Sequence, residues 1–136
     1  MNARRVLLIE DDPLSLKLMR DVLQAQGYAV TSTTNGHDGL AAAFSDSHDI
    51  VVIDIGIPGI DGVEVTRRIK ADPAIARAPV LAVSAYAMPR DERRIRDAGC
   101  DAFMTKPLRF SEFAEEVRRL IEATGRVQSS RSGSEK

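Results

Sequence analysis

The chain has 136 residues, of which 43% are hydrophobic and 29% charged, a composition typical of a globular protein. Nineteen Lys and Arg against twenty Asp and Glu give a net charge of -1, which argues against nucleic acid as the main partner, because nucleic-acid-binding domains are usually strongly basic. There is one cysteine, Cys100, and no apolar run approaches the length of a membrane span, so we predict a single cytoplasmic domain that does not contact a membrane.

Short apolar runs alternate with helical patterns along the chain. Three of these runs, VLLI, IVVI and VLAV, are apolar at every position, which is typical of strands buried on both faces of a parallel sheet. Two weaker candidates, AVTST and DAFMT, are expected nearer to the edges of the sheet. In chain order, the predicted strands are 6–9, 29–33, 50–53, 80–83 and 101–105.

A helical pattern follows each predicted strand. In the first helix, Asp12 is placed to cap the N-terminus with Pro13 in the first turn, and Gly27 to end the helix. The apolar residues predicted to share one face of this helix are Leu14, Leu18, Met19, Val22 and Leu23. The later helices are predicted over 38–45, 63–71 and 89–98, and a last helix carries Phe113 and ends near Gly125.

Five consecutive strand–helix units predict an α/β fold in which helices cover both faces of a parallel sheet. Beyond Gly125 the sequence RVQSSRSGSEK shows no periodicity and contains four serines. We therefore predict a folded domain over residues 1–125 and a disordered tail, or the start of a linker, over residues 126–136.

Polar residues stand at the carboxyl ends of the predicted strands, where open α/β sheets bind their ligands. The acidic run Glu10, Asp11 and Asp12 follows the first strand. The residues that follow the third, fourth and fifth strands are Asp54, Ser84 and Lys106. Carboxylates, a hydroxyl and an ammonium are thus expected to converge on one edge of the sheet.

Such a cluster is suited to a phosphoryl group and a divalent cation. Two like unit charges 4 Å apart repel by about 4 kcal/mol at an effective dielectric constant of 20, so a hard cation such as Mg²⁺ would stabilise the carboxylates. Lys106 and the Ser84 hydroxyl are suited to phosphoryl oxygens, and Asp54 is a possible nucleophile toward phosphorus.

Each motif taken alone also fits an ordinary structural role. The acidic run before Pro13 is typical of a helix N-terminus, Asp54 of the entry to a loop, Ser84 of a cap on the next turn, and Lys106 of a solvated lysine before a proline. Four such coincidences at four strand ends are less probable than one shared site.

Four sequence blocks resemble the receiver domains of two-component response regulators. They are IEDDP at the first strand, DIGIPGIDG at the third, VSAYA at the fourth and FMTKP at the fifth. The resemblance covers residue 5 to about residue 123, and AYAMPRDERRIRDAGCDAFMTKP is similar to single-domain regulators of the DivK type. It implies the flavodoxin-like (βα)5 receiver fold, a doubly wound five-stranded parallel sheet with strand order 2-1-3-4-5.

The resemblance also implies a metal site and a phosphoacceptor. Asp54 matches the phosphoacceptor, and Glu10 and Asp11 match the acidic pair that binds Mg²⁺, for which Mn²⁺ can substitute. Asp54 and the backbone carbonyl of Gly56 match the remaining metal ligands. The acidic pair departs from the commoner pattern because it begins with Glu rather than Asp.

Four further positions match residues that bind the phosphoryl group, switch the domain or set the lifetime of the phosphorylated state. Lys106 matches the lysine of the motif, and Ser84 and Phe103 match the switch hydroxyl and switch aromatic. Phe103 replaces a frequent Tyr and so lacks a hydroxyl. Gly56 and Tyr86 match the two positions that tune dephosphorylation.

The implied function is that of a response regulator in a two-component phosphorelay. It would accept a phosphoryl group from a sensor histidine kinase or phosphotransfer protein and switch contacts with a downstream protein through the fourth helix, fifth strand and fifth helix. Arginines on the fourth helix either contact an acidic partner or pair with neighbouring acids. No catalysis is expected beyond its own phosphorylation and dephosphorylation, and the alternative is a receiver cut from a larger regulator or hybrid kinase.

Three other classes fit the motifs less well. An aspartyl-phosphate hydrolase, the distant alternative, requires a second Asp two residues after its nucleophile, where Gly56 stands. A P-loop requires a lysine and a hydroxyl that GIPGIDGVE lacks. Three acids after the first strand would repel the phosphate of a flavin cofactor.

Overall fold

A computed structural model describes residues 3–85 and 88–134, with side chains up to residue 124. Five parallel strands form one sheet in the order β2-β1-β3-β4-β5, as the resemblance implied. The strands are β1 (Arg5–Ile9), β2 (Ala29–Thr33), β3 (Ile50–Asp54), β4 (Val80–Ser84) and β5 (Ala102–Thr105). The two weaker strand candidates are the two edges, as predicted.

A helix follows every strand. The helices are α1 (Pro13–Ala25), α2 (Gly36–Ser45), α3 (Gly62–Ala71), α4 (Pro89–Asp97) and α5 (Phe110–Ser134). Asp12 caps α1 as predicted, since its side chain accepts a hydrogen bond from Ser15 N, and Pro13 stands in the first turn. In the described residues, no helix combines the length and apolar character needed to cross a bilayer.

Alternate residues of the central strands pack into two separate hydrophobic cores. Leu7 and Ile9 pack with α2, α3 and α4, whereas Val6 and Leu8 pack with α1 and α5. These four side chains are completely buried, and each such burial contributes about 1.5–3 kcal/mol. Burial on both faces explains why the central strands are apolar at every position.

Helix α1 uses a different part of its surface from the one predicted. Met19 and Leu23 are buried as expected, but Leu14 and Leu18 are 64% and 38% exposed. At about 100° per residue, the five predicted apolar positions span half of the circumference, and only the arc around Met19 and Leu23 faces the sheet. Leu16 packs on that arc. The prediction of one buried face is therefore wrong for its first two residues.

Helix α5 continues past Gly125 to Ser134, so the predicted end near Gly125 is wrong. The segment contains no proline, and a helix that has already formed gains one backbone bond for each added residue, so one glycine does not stop it. The division into a domain over residues 1–125 and a tail over residues 126–136 stays a prediction.

Candidate functional site

The register of the strands brings the polar strand ends to one edge of the sheet. Ile9 lies opposite Ile53, so Glu10 and Asp54 follow at the same level of β1 and β3. On the other side of β3, Asp54 lies opposite Val83, and Ser84 lies opposite Thr105. Lys106 follows Thr105 and its backbone N–H donates to the Ser84 carbonyl at 2.9 Å.

Glu10 is a completely buried carboxylate. Its backbone N–H donates to the Thr33 carbonyl at 3.0 Å, which fixes it beside β2. Its Oε2 atom accepts a hydrogen bond from Asp12 N at 3.1 Å. The other oxygen, Oε1, lies 2.9 Å from Lys106 Nζ but forms no hydrogen bond among the described residues, so this contact is an ion pair only.

Lys106 joins the two buried carboxylates. Its Nζ atom lies 2.8 Å from Asp54 Oδ2, and Asp54 Oδ1 accepts a hydrogen bond from Gly56 N at 2.9 Å. Asp54 is only 7% exposed, whereas the Lys106 side chain is 23% exposed. An ammonium has three donor hydrogens, so Lys106 can reach a further oxygen while it holds both carboxylates.

Burial and hydrogen bonding move the pKa values of these groups in opposite directions. Burial, assisted by the neighbouring Asp54 carboxylate, raises the pKa of Glu10 to about 7. Burial acts in the same sense on Asp54, but its interactions with Glu10, Lys106 and the Gly56 N–H outweigh it and hold the Asp54 pKa below its usual value. Asp54 is therefore the carboxylate that stays ionised at neutral pH.

The carboxylates of Glu10, Asp11 and Asp54 fit a hard divalent cation. One oxygen from each lies within 4.8 Å of the others. All three donors are oxygen atoms, which Mg²⁺ prefers, and Glu10 Oε1 has a lone pair that no hydrogen bond uses among the described residues. When Glu10 is also ionised, Lys106 alone balances only one of the three negative charges.

The two predicted switch residues lie on neighbouring strands, Ser84 at the end of β4 and Phe103 in β5. Ser84 is buried at the end of β4. Phe103 lies opposite Ala82 in the register and is half-buried against the core that α2, α3 and α4 share with the sheet. Tyr86, predicted to tune dephosphorylation, lies outside the described residues.

An apolar groove beside Lys106 was not anticipated from the sequence. It has a volume of about 430 Å³, and Leu18 on the exposed side of α1 forms part of its lining, with Leu14 one helical turn earlier. Its lining consists of Ser15, Leu18, Met19, Lys106, Pro107, Leu108 and Phe110. A sequence signal existed, because Leu14 and Leu18 lie outside the arc that Met19 and Leu23 define.

Comparison with known proteins gives one consistent result. The family model for the response regulator receiver domain matches residues 6–118. The polar-differentiation response regulator DivK of Brucella anthropi is 39% identical over 115 residues, which is 85% of this chain and 94% of that protein.

Solved structures agree with this match. The signal receiver domain of a signal transduction histidine kinase from Syntrophus aciditrophicus is 28% identical with a TM-score of 0.84, covering 89% of this chain and 92% of that chain. The receiver domain of a sensor histidine kinase from Pseudomonas aeruginosa is also 28% identical, with a TM-score of 0.83 and coverage of 89% and 99%. That structure has a magnesium ion coordinated in its active site cleft.

Proposed function

Because the chain belongs to the response regulator receiver domain family, we propose that Asp54 accepts a phosphoryl group from a sensor histidine kinase or phosphotransfer protein. The observation that carries this proposal is the Lys106 contact with Asp54, 2.8 Å long, beside two further carboxylates. A nucleophilic carboxylate, an ammonium and an acidic metal site are the parts that phosphoryl transfer needs.

The residues proposed to hold Mg²⁺ are Glu10, Asp11, Asp54 and the Gly56 carbonyl, with Mn²⁺ able to replace it. When bound, the ion supplies positive charge to the phosphoryl and carboxylate oxygens. Buried Glu10 and exposed Asp11 would hold this charge beside Asp54, and the Gly56 N–H orients Asp54 through the bond to Oδ1.

In the proposed reaction, a carboxylate oxygen of Asp54 forms a bond to phosphorus as the bond from phosphorus to the donor histidine nitrogen breaks. The electron pair of the broken bond stays on that nitrogen. Lys106 neutralises charge on the phosphoryl oxygens, and the Ser84 hydroxyl is proposed to bind one of them. The chain catalyses only its own phosphorylation and dephosphorylation in this account.

We propose that the phosphoryl donor docks on the groove beside α1. A donor must place its phosphohistidine at Asp54, so it must cover the surface around Lys106, and the groove is an apolar surface that includes Lys106. Exposed Leu14 and Leu18 extend this surface along α1. Apolar area next to the reacting group is suited to a helix of a partner protein.

A phosphotransfer assay with purified histidine kinases tests this function. The wild-type chain is expected to take up label from at least one autophosphorylated kinase of the same genome, and Leu14→Glu to take it up more slowly. Phe44→Glu is the matched control, since Phe44 is an exposed apolar residue on α2, away from the groove. If both substitutions slowed phosphotransfer equally, the donor would not dock on the groove beside α1.

Phosphorylation is proposed to reach a downstream protein through α4, β5 and α5. Ser84 moves toward the phosphoryl group and Phe103 fills the space that it leaves, which biases a two-state element. Arg96 pairs with Glu92 on α4 at 2.8 Å, and Arg94 pairs with Asp61 at 3.4 Å, so these two arginines follow the alternative in which they pair with neighbouring acids. Cytoplasmic action stays a prediction.

The switch can be tested by nuclear magnetic resonance with beryllofluoride as the phosphoryl mimic. The mimic is expected to shift amide signals of α4 in wild type but far less in Phe103→Ala. Met104→Ala is the control because Met104 packs against the opposite core of the sheet. The same α4 shifts in Phe103→Ala as in wild type would remove Phe103 from the switch.

A further inference from the structure

The loop between β3 and α3, residues 55–61, carries Gly56 and is anchored at both ends. At its start, the Gly56 N–H donates to Asp54 Oδ1 at 2.9 Å. At its end, Gly62 N donates to the Ile55 carbonyl at 3.1 Å, and the Asp61 side chain caps α3 by accepting from Glu64 N. These contacts leave the middle of the loop to be fixed by another element.

The first turn of α2 supports the middle of this loop. A Cβ added to Gly36 would lie 2.2 Å from the Ile60 carbonyl oxygen and 3.1 Å from its carbonyl carbon. The His37 ring lies beside the same loop, since a Cβ added to Gly59 would lie 3.5 Å from His37 Cδ2. The backbones of Gly36 and Ile60 therefore touch with no room for a side chain between them.

Gly36 is not required by its own backbone conformation. The glycines with positive φ in the described residues are Gly27, Gly59 and Gly99. Any residue could adopt the conformation of Gly36, so the close approach of the Ile60 carbonyl is what demands glycine here.

We infer that Gly36 is a positioning residue for phosphoryl transfer. It holds the loop in the position from which the Gly56 N–H donates to Asp54 Oδ1. This inference rests on the proposed function. Ordinary contact begins near 3.4 Å, so an alanine at position 36 would push the Ile60 carbonyl away by about 1 Å. Misplacement by about 1 Å can slow a reaction by on the order of 10²-fold, even when it arises away from the reacting atoms.

The test compares Gly36→Ala with Gly39→Ala. Both residues are buried in α2, and a Cβ at Gly39 would also meet an obstacle, 2.5 Å from Ile9 Cδ1. The three nearest atoms that this Cβ would meet all belong to the buried Ile9 side chain, at 2.5–3.1 Å, so the strain of Gly39→Ala falls on the core beside β1 and not on the loop. Both variants are expected to lower the thermal unfolding midpoint.

Only Gly36→Ala is expected to change the site. Calorimetric titration is expected to show at least ten-fold weaker Mg²⁺ binding, and uptake from acetyl phosphate is expected to slow by about ten-fold or more. The amide signal of Gly56 is expected to shift in Gly36→Ala and not in Gly39→Ala, a difference that a general loss of stability does not produce.

A milder variant provides a second test of the inference if Gly36→Ala does not fold. Asn35→Ala removes the cap of α2, where Asn35 Oδ1 accepts from Asp38 N at 2.8 Å, and so loosens the first turn without adding atoms at the contact. It is expected to shift Gly56 and weaken Mg²⁺ binding by a smaller factor.

Two results separate this inference from the proposed function. If wild type takes up phosphate and Gly36→Ala or Asn35→Ala matches it in Mg²⁺ affinity, uptake rate and Gly56 signal, the inference alone is overturned. If wild type itself takes up no phosphoryl group, the proposed function fails and the inference fails with it.

Discussion

The parallel strands all begin at one edge of the sheet, the N-terminal edge, and all end at the other, the C-terminal edge. Both of these edges carry charged residues, but the charges are balanced differently at each. At the N-terminal edge each carboxylate has its own cation: Asp46 pairs with Arg5, Asp49 with Arg4 and Asp101 with Lys70. At the C-terminal edge, Glu10 and Asp54 share Lys106, and Asp11, the third carboxylate of the cluster, has no ion pair among the described residues.

The difference separates ion pairs that hold the fold from charges that serve a reaction. Lys70 also donates to the Ala76 and Ala78 carbonyls and so joins the C-terminus of α3 to the next loop. Glu10 does not join two parts of the fold in the way that Lys70 does. Its burial beside Asp54 instead costs free energy, because the carboxylate loses its hydration and is repelled by a like charge. An edge with surplus buried negative charge is suited to bind a cation, and the other edge is not.

The largest expected effect distinguishes the two lysines. Lys106→Met is expected to slow uptake from acetyl phosphate by about 10²–10³-fold, because it removes the ammonium that neutralises the transferred group. Lys70→Met, which breaks the ion pair at the opposite edge, is expected to lower stability while leaving the uptake rate of the folded protein unchanged. A rate assay under saturating Mg²⁺ checks both, and equal slowing would refute the comparison.

The edges are also expected to differ in their response to pH. Folding raises the pKa of Glu10 from about 4.5 to about 7, so the stability that Glu10 contributes is fully present below pH 4.5 and lost as pH rises through 7. Without Mg²⁺ this loss is on the order of 3 kcal/mol in the free energy of unfolding. Asp46 has the opposite sign, since hydrogen bonding to Arg5 lowers its pKa to about 2 and its contribution is lost only in acid.

Urea unfolding between pH 5 and pH 8 measures this difference. The loss of stability is expected in wild type without Mg²⁺ and is expected to be smaller with excess Mg²⁺ or in Glu10→Gln. Comparison with Glu10→Gln also removes the contribution of His48, whose pKa is lowered by burial and which acts in the opposite direction. An unchanged pH profile in Glu10→Gln would contradict the assignment.

A smaller effect concerns the two members of the acidic pair. Asp11→Ala is expected to weaken Mg²⁺ binding more than Glu10→Ala, by about ten-fold, or roughly 1.4 kcal/mol. Asp11 is exposed, with no ion pair among the described residues, whereas Glu10 is already engaged by Lys106 and Asp12. Calorimetric titrations giving the reverse order would show that Glu10 is the stronger ligand.

The smallest effect is on the lifetime of the phosphorylated state. Gly56→Asn together with Tyr86→Glu is expected to speed loss of phosphate several-fold, because polar side chains can then orient a water. The backbone accepts a side chain at Gly56, where a Cβ would lie 3.7 Å from Asp54 Oδ1, an ordinary contact. Phosphate release no faster than in wild type would show that these positions do not set the lifetime.

Most of the fold could be predicted because strand burial and helix caps are local signals. The strand ends also predicted which polar residues meet, since parallel strands finish at one edge. The exposed face of α1 and the end of α5 were missed, because helical periodicity does not say which arc meets the sheet or where a helix without a strong stop signal ends.

The details of the site were beyond the sequence for a different reason. Whether Lys106 pairs with one carboxylate or with two depends on the conformation and burial of the side chains. The spacing of the motifs along the sequence does not predict either. The contact of Gly36 with Ile60 joins the first turn of α2 to a loop distant in the chain, and a lone glycine gives no sign of what lies against it.

The central claim is that Asp54 is the phosphoacceptor of a metal-dependent site. The most direct measurement is mass spectrometry of the chain after incubation with acetyl phosphate and Mg²⁺, with the modified residue located by peptide sequencing. One phosphoryl group on Asp54 is predicted, absent in excess chelator and in Asp54→Asn. Undiminished labelling of Asp54→Asn, or labelling of wild type without a divalent cation, would contradict the account.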